Sequence, residues 1–587
     1  MSKLSRREFV YMMAMLGATP VFANSHTRMT DTKKLEDYYK LKPFGNARFL
    51  HMTDSHAQLL PVYFREPSVN LGFFSNFGKP PHIVGEKLLD YYGIKGNKRL
   101  EYAYSCVNFE KHAKVMGKVG GFAQIKTVVD YLKESFGADK TLLLDGGDTW
   151  QGSATALYTR GRDMVGAMNL LGVDVAVGHW EFTYKAEEVL ANVKELKAEF
   201  LAQNIFVKED SMMNGVEAFD EDTGHAFKPY TIKKMGNARV AIIGQAFPYT
   251  TIANPQRFIP DWTFGIKEDS MQEIVNKIKL DEKPDAIIVL SHNGFDTDKK
   301  MAEVVSGIDF IMGGHTHDGV PEAVPVKNAN GTTYVCNAGS NGKFLNVLDL
   351  DIQKGKIKDF KFTLLPIFSD LIPENKEMKK YIEDVRLPYL KELTRPIATT
   401  EETLFRRGNF NGSWDQIICD ALIDVKGAQI SLSPGFRWGT SVMPNQTITF
   451  DDLMTQTAMT YPETYARDIK GSEIKLILED VADNLFNEDP FLQQGGDMVR
   501  TGGISYKIDP KAKIGERITN IVLSKTGEKL DANKSYKVAG WSTVGAQSEG
   551  EPIWETVETY LKNMKHISKI KIDTPDIVGV KGNPGII

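Results

Sequence analysis

Thiols are scarce in this chain. Its 587 residues carry three cysteines, Cys106, Cys336 and Cys419, far apart and in no Cys-x-x-Cys spacing. That excludes a disulfide framework and a thiolate zinc site, so any metal must be held by nitrogen and oxygen. A strong excess of one charge sign is missing too. The formal net charge is −5 and no basic block stands out, which argues against nucleic acid as a partner. Beyond the N-terminus no apolar run is long enough for a membrane helix. There is no internal repeat and no low-complexity tract. At 42% hydrophobic and 25% charged residues, the composition is too apolar for disorder. A chain this long exceeds one hydrophobic core, so two or more domains are expected.

What is present begins with a targeting segment. Ser5-Arg-Arg-Glu-Phe-Val10 is a twin-arginine pattern, followed by an apolar stretch from Phe9 to Ala18 and a small-residue cleavage site at Val21-Phe-Ala23. Residues 1–23 are therefore expected to be a signal peptide for export to the periplasm. The apolar stretch is too short to span a bilayer.

The rest is organised by strand ends. Ala47–Thr53 alternates as a strand and runs into Asp54-Ser-His56. Period two returns alternate side chains to one face, so this carboxylate and imidazole share a side. Residues 62–118 read as a long polar and aromatic insertion with few periodic runs. A helical segment from Gly120 to about Phe136 follows, then a buried strand, Thr141–Leu144, ending in Asp145-Gly-Gly-Asp148. Val173–Val177 ends in Gly178-His-Trp-Glu181, and Ala286–Leu290 ends in Ser291-His-Asn-Gly294. Ile308–Met312 ends in Gly313-Gly-His-Thr-His317. Strands alternating with helical segments are the mark of a layered α/β sheet. Five of the eleven histidines follow apolar strands directly. Asp54, His56, Asp148, His179, His292, His315 and His317 supply enough donors for two metals if one carboxylate bridges. Imidazole with carboxylate suits Mn, Fe or Zn and leaves the choice open. Residues 367–396 read as a charged helical linker, and a second, smaller α/β region covers 397–587.

Asp54-x-His56, Gly147-Asp148-x-x-Gln-Gly152, Gly178-His179-Trp-Glu-Phe182, Ser291-His292-x-Gly294 and Gly314-His-Thr-His317 together resemble the calcineurin-like metallophosphoesterases, and within them the two-domain 5′-nucleotidase family. The resemblance covers nearly all of the mature chain. It implies an αββα sandwich over residues 45–366 with a dinuclear metal site, and a C-terminal domain that binds substrate. It also implies a division of ligands: Asp54, His56, Asp148 and His317 at one site, and Asp148, His179, His292 and His315 at the other. Arg437 stands where that family grips the substrate phosphate with an arginine, and Arg407 is a second candidate for the same task. Asp145 and Glu181 lie beside ligand positions, as orienting partners or as turn formers.

One departure bears on substrate. The family pattern Gly-Asn-His-Glu-Phe-Asp reads Gly178-His-Trp-Glu-Phe-Thr183 here. A ligand type survives at His179, but the family's catalytic histidine is Trp180 and the aspartate that orients it is Thr183. An alkoxide leaving group wants a proton or charge stabilisation, whereas a sulfur anion needs less help. With Gly408–Trp414, Ser433–Gly439 and Gly495–Arg500, this turn is similar to the SoxB thiosulfohydrolases. That resemblance implies two Mn²⁺ ions and a sulfur-carrier protein (SoxYZ-like) that presents a cysteine on a C-terminal arm. Asp148, Arg437 and Trp180 are then the residues expected at the reacting group, and sulfate is the product. A periplasmic 5′-nucleotidase or nucleotide-sugar phosphohydrolase is the alternative, and a non-catalytic metal-binding or docking protein a third reading.

Overall fold

The computed structural model describes residues 39–545 and 547–587. The expected signal peptide lies outside them. Two six-stranded sheets occupy the N-terminal part. The first runs Ile357–Pro366, Phe344–Ile352, Ala47–Met52, Thr141–Asp145, Val175–Ala176, Glu199–Phe200. The second runs Val324–Asn328, Gly331–Asn337, Phe310–Gly313, Ala286–Ser291, Ala238–Gln245, Tyr230–Met235. Strands that carry the five motifs pair in parallel, and antiparallel pairs lie at three of the four sheet edges, the fourth being the parallel strand Glu199–Phe200. All five motifs therefore emerge at the carboxyl ends of parallel strands, where open α/β sheets place ligands.

The layering follows from side-chain alternation. Along Ala238–Gln245, Val240 and Ile242 join the core between the sheets, with Phe49, Leu143 and Phe310. Ala241 and Ile243 face the other way, against Met271, Ile274 and Ile278 of the helix Glu268–Asp281. The first sheet is covered likewise by Phe122–Phe136, which buries Val128, Val129 and Leu132. The result is helix, sheet, sheet, helix. Burying each such aliphatic side chain contributes about 1.5–3 kcal/mol. Arg48, buried at an in-register pair with Asp349, meets its carboxylate at 2.6 and 2.7 Å.

One expectation is corrected. The insertion is not patternless: it holds the helices Gly85–Tyr92, Lys98–Tyr104 and Phe109–Met116. Each is seven or eight residues long, below the window in which a 3.6-residue period shows. The stretch read as a helical linker holds the helix Lys376–Arg386, which packs on the N-terminal part: it buries Met378 and Ile382 and donates the Tyr381 hydroxyl to the Asp163 carbonyl at 2.7 Å.

From Pro396 onward three smaller sheets are built around the helices Ser413–Lys426, Phe450–Thr457, Gly471–Phe486 and Ile553–Met564. This part lies against the carboxyl ends of the N-terminal strands. Leu71 N–H donates to Asn409 Oδ1 at 2.7 Å, and Ser441 N–H donates to the Tyr63 carbonyl at 2.8 Å. Among the described residues no helix is long and apolar enough to cross a membrane.

Candidate metal centre

The five strand ends deliver seven side chains to one place. Asp54, His56, Asp148 and His317 form one group of donors, and Asp148, His179, His292 and His315 another. Within each group the donor atoms lie within 4.8 Å of one another, and every residue is buried. Asp148 belongs to both: one carboxylate oxygen is 3.0 Å from His292 Nε2 and the other 3.2 Å from His179 Nδ1. On the other side, His317 Nε2 is 3.2 Å from Asp54 Oδ1.

Local backbone makes this convergence. Asp54, His56, Asp148, His315 and His317 have φ of 51°, 45°, 58°, 74° and 61°. A non-glycine residue in this region costs on the order of 1 kcal/mol or more, and such strain collects at functional sites. Fixed bonds hold it in place. Asp54 N–H donates to the Gly147 carbonyl and His56 N–H to the Asp148 carbonyl, each at 2.8 Å, and His315 N–H donates to the Asp54 carboxylate at 3.0 Å. At Gly314 an added Cβ would land 2.2 Å from Thr53 Oγ1 and 3.0 Å from Asp54 Oδ2, so close approach, not turning alone, requires glycine there.

Orientation comes from a surrounding layer. Nδ1 of His292 faces the Gly146 carbonyl at 2.5 Å and Nδ1 of His56 faces the Gln151 carbonyl at 3.2 Å, which turns both Nε2 atoms inward. Glu181 gathers two motif loops. Its carboxylate accepts the amides of Thr149 and His179, both at 2.7 Å, and those of Trp150 and Asp148 at 3.2 and 3.3 Å. Asp145 accepts Gly147 N–H and the Thr149 hydroxyl, both at 2.9 Å.

The residues fit a pair of cations. His179 Nε2, both nitrogens of His315 and His317 Nδ1 are buried without a hydrogen-bond partner among the described residues. Such atoms are costly unless something coordinates them. Burial draws His56 down to about 4 and holds His315 and His317 well below the ordinary imidazole range, which keeps them neutral, the form that binds metal. Asp148 is pushed up by burial, but His179 and His292 outweigh this and hold it well below the usual carboxylate range. The same carboxylates favour positive charge: against its burial, His292 is raised to about 10 by Asp148 and Asp54.

A cleft of about 250 Å³ opens on the centre, lined by Asp148, His179, Trp180, Phe247, His315 and Arg437 among others. Arg437 reaches in from the C-terminal part, with Nη1 3.3 Å from the His315 carbonyl and Nη2 2.7 Å from the Gly496 carbonyl. Asp497 stands 3.6 Å from its Nε. Arg407 is buried and spends Nη2 on Asp318 Oδ1 at 3.1 Å and the Thr316 carbonyl at 3.2 Å, bracing the His-x-His turn from outside. Trp180 lies in the cleft wall, edge-on to Phe436 at 5.5 Å and Trp438 at 5.2 Å, and those two rings stack at 4.0 Å. Thr183 is not part of the cleft lining and bonds Thr460.

Sequence reasoning missed three participants. Phe247 stacks on His315 at 4.2 Å, and nothing around it in the sequence marks it. Gly495, with φ +81°, sits so close that a Cβ would lie 2.3 Å from His315 Nε2. Asp497 ties Arg437 to Arg500, whose Nη2 it accepts at 3.1 Å. The last two lie in a Gly-Gly-Asp motif that was visible without a role.

Comparison with known proteins agrees with this geometry. The 5′-nucleotidase C-terminal domain family matches residues 396–556. A solved sulfate thiohydrolase SoxB from Thermus thermophilus superposes with a TM-score of 0.85 at 33% identity, covering 92% of this chain and 98% of its own. A 5′-nucleotidase precursor, also from Thermus thermophilus, shares the fold, at a TM-score of 0.71, 22% identity, and 91% and 99% coverage. The 5′-nucleotidase of Bos taurus is 26% identical over 486 residues, 75% of this chain and 78% of that protein. A relationship that spans both parts of the fold, with paired Asp/His groups where the strands end, places the chain in the 5′-nucleotidase family, as a hydrolase of the dimetal phosphoesterase type.

Proposed function

We propose that this chain cleaves the sulfur–sulfur bond of a thiosulfonate carried on the cysteine of a partner protein and releases sulfate, the reaction class of a SoxB-type thiosulfohydrolase. The observation that carries this reading is the turn Gly178–Tyr184. Where a phosphoesterase of this family has its proton-handling pair, Trp180 packs into the aromatic wall and Thr183 is bonded to the opposite domain, so neither serves a leaving oxygen. The similarity to the Thermus thermophilus sulfate thiohydrolase supports the same reading.

In balance, Cys–S–S–SO₃⁻ and water give Cys–S–S⁻, SO₄²⁻ and two protons. The bond from the sulfonate sulfur to its neighbour breaks with its electron pair left on the persulfide, and a new S–O bond forms. Asp54, His56, Asp148 and His317, with His179, His292 and His315, would hold two divalent ions, proposed as Mn²⁺. Such ions supply an acidified water and neutralise charge on substrate oxygens. Arg437 binds the sulfonate oxygens through its guanidinium fork. Trp180, with Phe436 and Trp438, forms an aromatic wall of the cleft. The persulfide departs as a stable anion, so no acid is needed where the family histidine would stand. The protein is proposed to act in the periplasm, after export by the twin-arginine route, on a carrier with a C-terminal cysteine arm. The proposed division of the chain is a catalytic domain over 45–366, a connecting segment over 367–396 and a substrate-binding domain over 397–587.

The test loads the stripped protein with Mn²⁺. It then measures sulfate released from a thiosulfonate-bearing cysteine peptide beside phosphate released from AMP. Sulfate alone is expected. Phosphate alone would select the nucleotidase reading, which the shared fold of the second Thermus thermophilus protein keeps as the alternative.

A further inference from the structure

The C-terminal part does more than face the cleft, because it touches the loops that carry the metal donors. Segment 458–461, which follows the helix Phe450–Thr457, meets two of them. Gln151, three residues after Asp148, donates Nε2 to the Ala458 carbonyl at 2.7 Å, while its own carbonyl fixes His56. Thr460 and Thr183 face each other with hydroxyl oxygens 2.6 Å apart, and the Thr460 hydroxyl also lies 3.1 Å from the Thr183 carbonyl. Both contacts are satisfied together if Thr460 donates to that carbonyl and Thr183 donates to Thr460. Thr183 belongs to the short turn Trp180–Tyr184, whose Glu181 ties the amides of the Asp148 and His179 loops. Tyr461 anchors the segment by bonding the Ala253 carbonyl through its hydroxyl.

We infer that Thr460 is a positioning residue for the metal centre: through Thr183 it holds the His179 loop in register with the Asp148 loop, so seating of the C-terminal domain and metal loading are one coupled equilibrium. This rests on reading the Asp/His groups as metal sites. Thr460 touches neither a donor atom nor the cleft lining. Its effect travels through two hydrogen bonds and a backbone turn, and outer partners of this kind change metal affinity about 10–100-fold when removed.

The experiment uses the full-length mature protein, stripped of metal and titrated with Mn²⁺ alone by calorimetry, with the melting temperature of the metal-free form measured beside it. Thr460→Val keeps the shape and removes the hydroxyl, and Thr460→Ser keeps the hydroxyl. Expected are a roughly tenfold or greater loss of Mn²⁺ affinity in Thr460→Val, retention within about twofold in Thr460→Ser, and little change in the metal-free melting temperature. Wild-type Mn²⁺ affinity in Thr460→Val, whether or not the metal-free form is less stable, would overturn the inference alone. A wild-type protein that takes up no Mn²⁺ would overturn the metal-centre reading and the inference with it.

Discussion

His56 and His317 face each other through their Nε2 atoms at 3.0 Å, both rings fully buried. At most one of the two nitrogens can donate to the other, and Asp54 and Asp148 stand 3.2 and 3.6 Å from these same atoms. A cation held by this group would take the facing lone pairs of both nitrogens. Chelation is therefore expected to destabilise the protein. A site held at a hundredfold excess of ligand over Kd contributes about 2.7 kcal/mol, so removal of both metals should lower the melting temperature by several degrees and Mn²⁺ should restore it. A melting curve indifferent to chelator and metal would remove the metal centre from the account.

Glu181 ties the two loops that carry Asp148 and His179 by accepting four amides. Glu181→Gln replaces one acceptor oxygen with an amide that has no acceptor to meet. Metal affinity is expected to fall about 10–100-fold, read by metal content after dialysis. Unchanged content would mean that the loops hold their register without the carboxylate.

Arg437 is the guanidinium that enters the cleft, oriented by the Gly496 carbonyl and by Asp497. Loss of a charge-assisted bond to an anionic substrate costs about 1.5–3 kcal/mol. Arg437→Ala should raise KM for the thiosulfonate peptide by roughly 10–100-fold, and Arg437→Lys should recover only part of this, because an ammonium cannot grip two oxygens at once. Equal KM in all three proteins would assign the sulfonate to another group.

The choice of leaving group can be tested at Trp180 and Thr183. Trp180→His with Thr183→Asp restores the phosphoesterase pair at the turn, and general acid catalysis contributes about 10²–10⁴-fold where it operates. Hydrolysis of p-nitrophenyl phosphate or AMP by the Mn²⁺-loaded double variant should rise at least tenfold over wild type. Absence of any rise would sink the idea that these two positions set the choice of leaving group.

A pH effect is expected far from the centre. Asp163, buried near the start of the helix Arg162–Leu171, is raised by burial from its ordinary 3.8 to about 6, although the Thr159 hydroxyl and the Met164 amide pull it down. Between those values the unfolded chain has released a proton that the folded chain keeps. Stability contributed at this site therefore falls as pH rises from about 4 to about 6 and stays lost above that, on the order of 2–3 kcal/mol in total. Asp163→Asn should flatten that part of the pH dependence of urea unfolding. A slope identical to wild type would place the titration elsewhere.

The five donor motifs were legible in the chain because each stands directly after an apolar run, three of them beyond one or two glycines. The parallel order of the strands brings these motifs to the adjoining carboxyl ends of two sheets, where Asp54, His56, Asp148, His179, His292, His315 and His317 meet. The Trp180 and Thr183 departures could also be read in line. The short helices of residues 85–116 could not, because seven or eight residues span barely two turns and show no stable period.

Sequence alone thus determined the layered α/β class, the seven Asp and His residues and the altered turn, since each rests on patterns within a few residues; the αββα sandwich came from the family resemblance that those motifs carry. Tertiary structure alone decided what closes over the centre. Gly495 beneath His315, Phe247 against its ring, Thr460 on Thr183 and Arg407 on Asp318 join residues 68 to 277 positions apart. Nothing in local periodicity encodes such pairs. Three of the four cross between the N-terminal and C-terminal parts, and the Phe247 pair joins two strand ends of one part, so each exists only once the chain has packed.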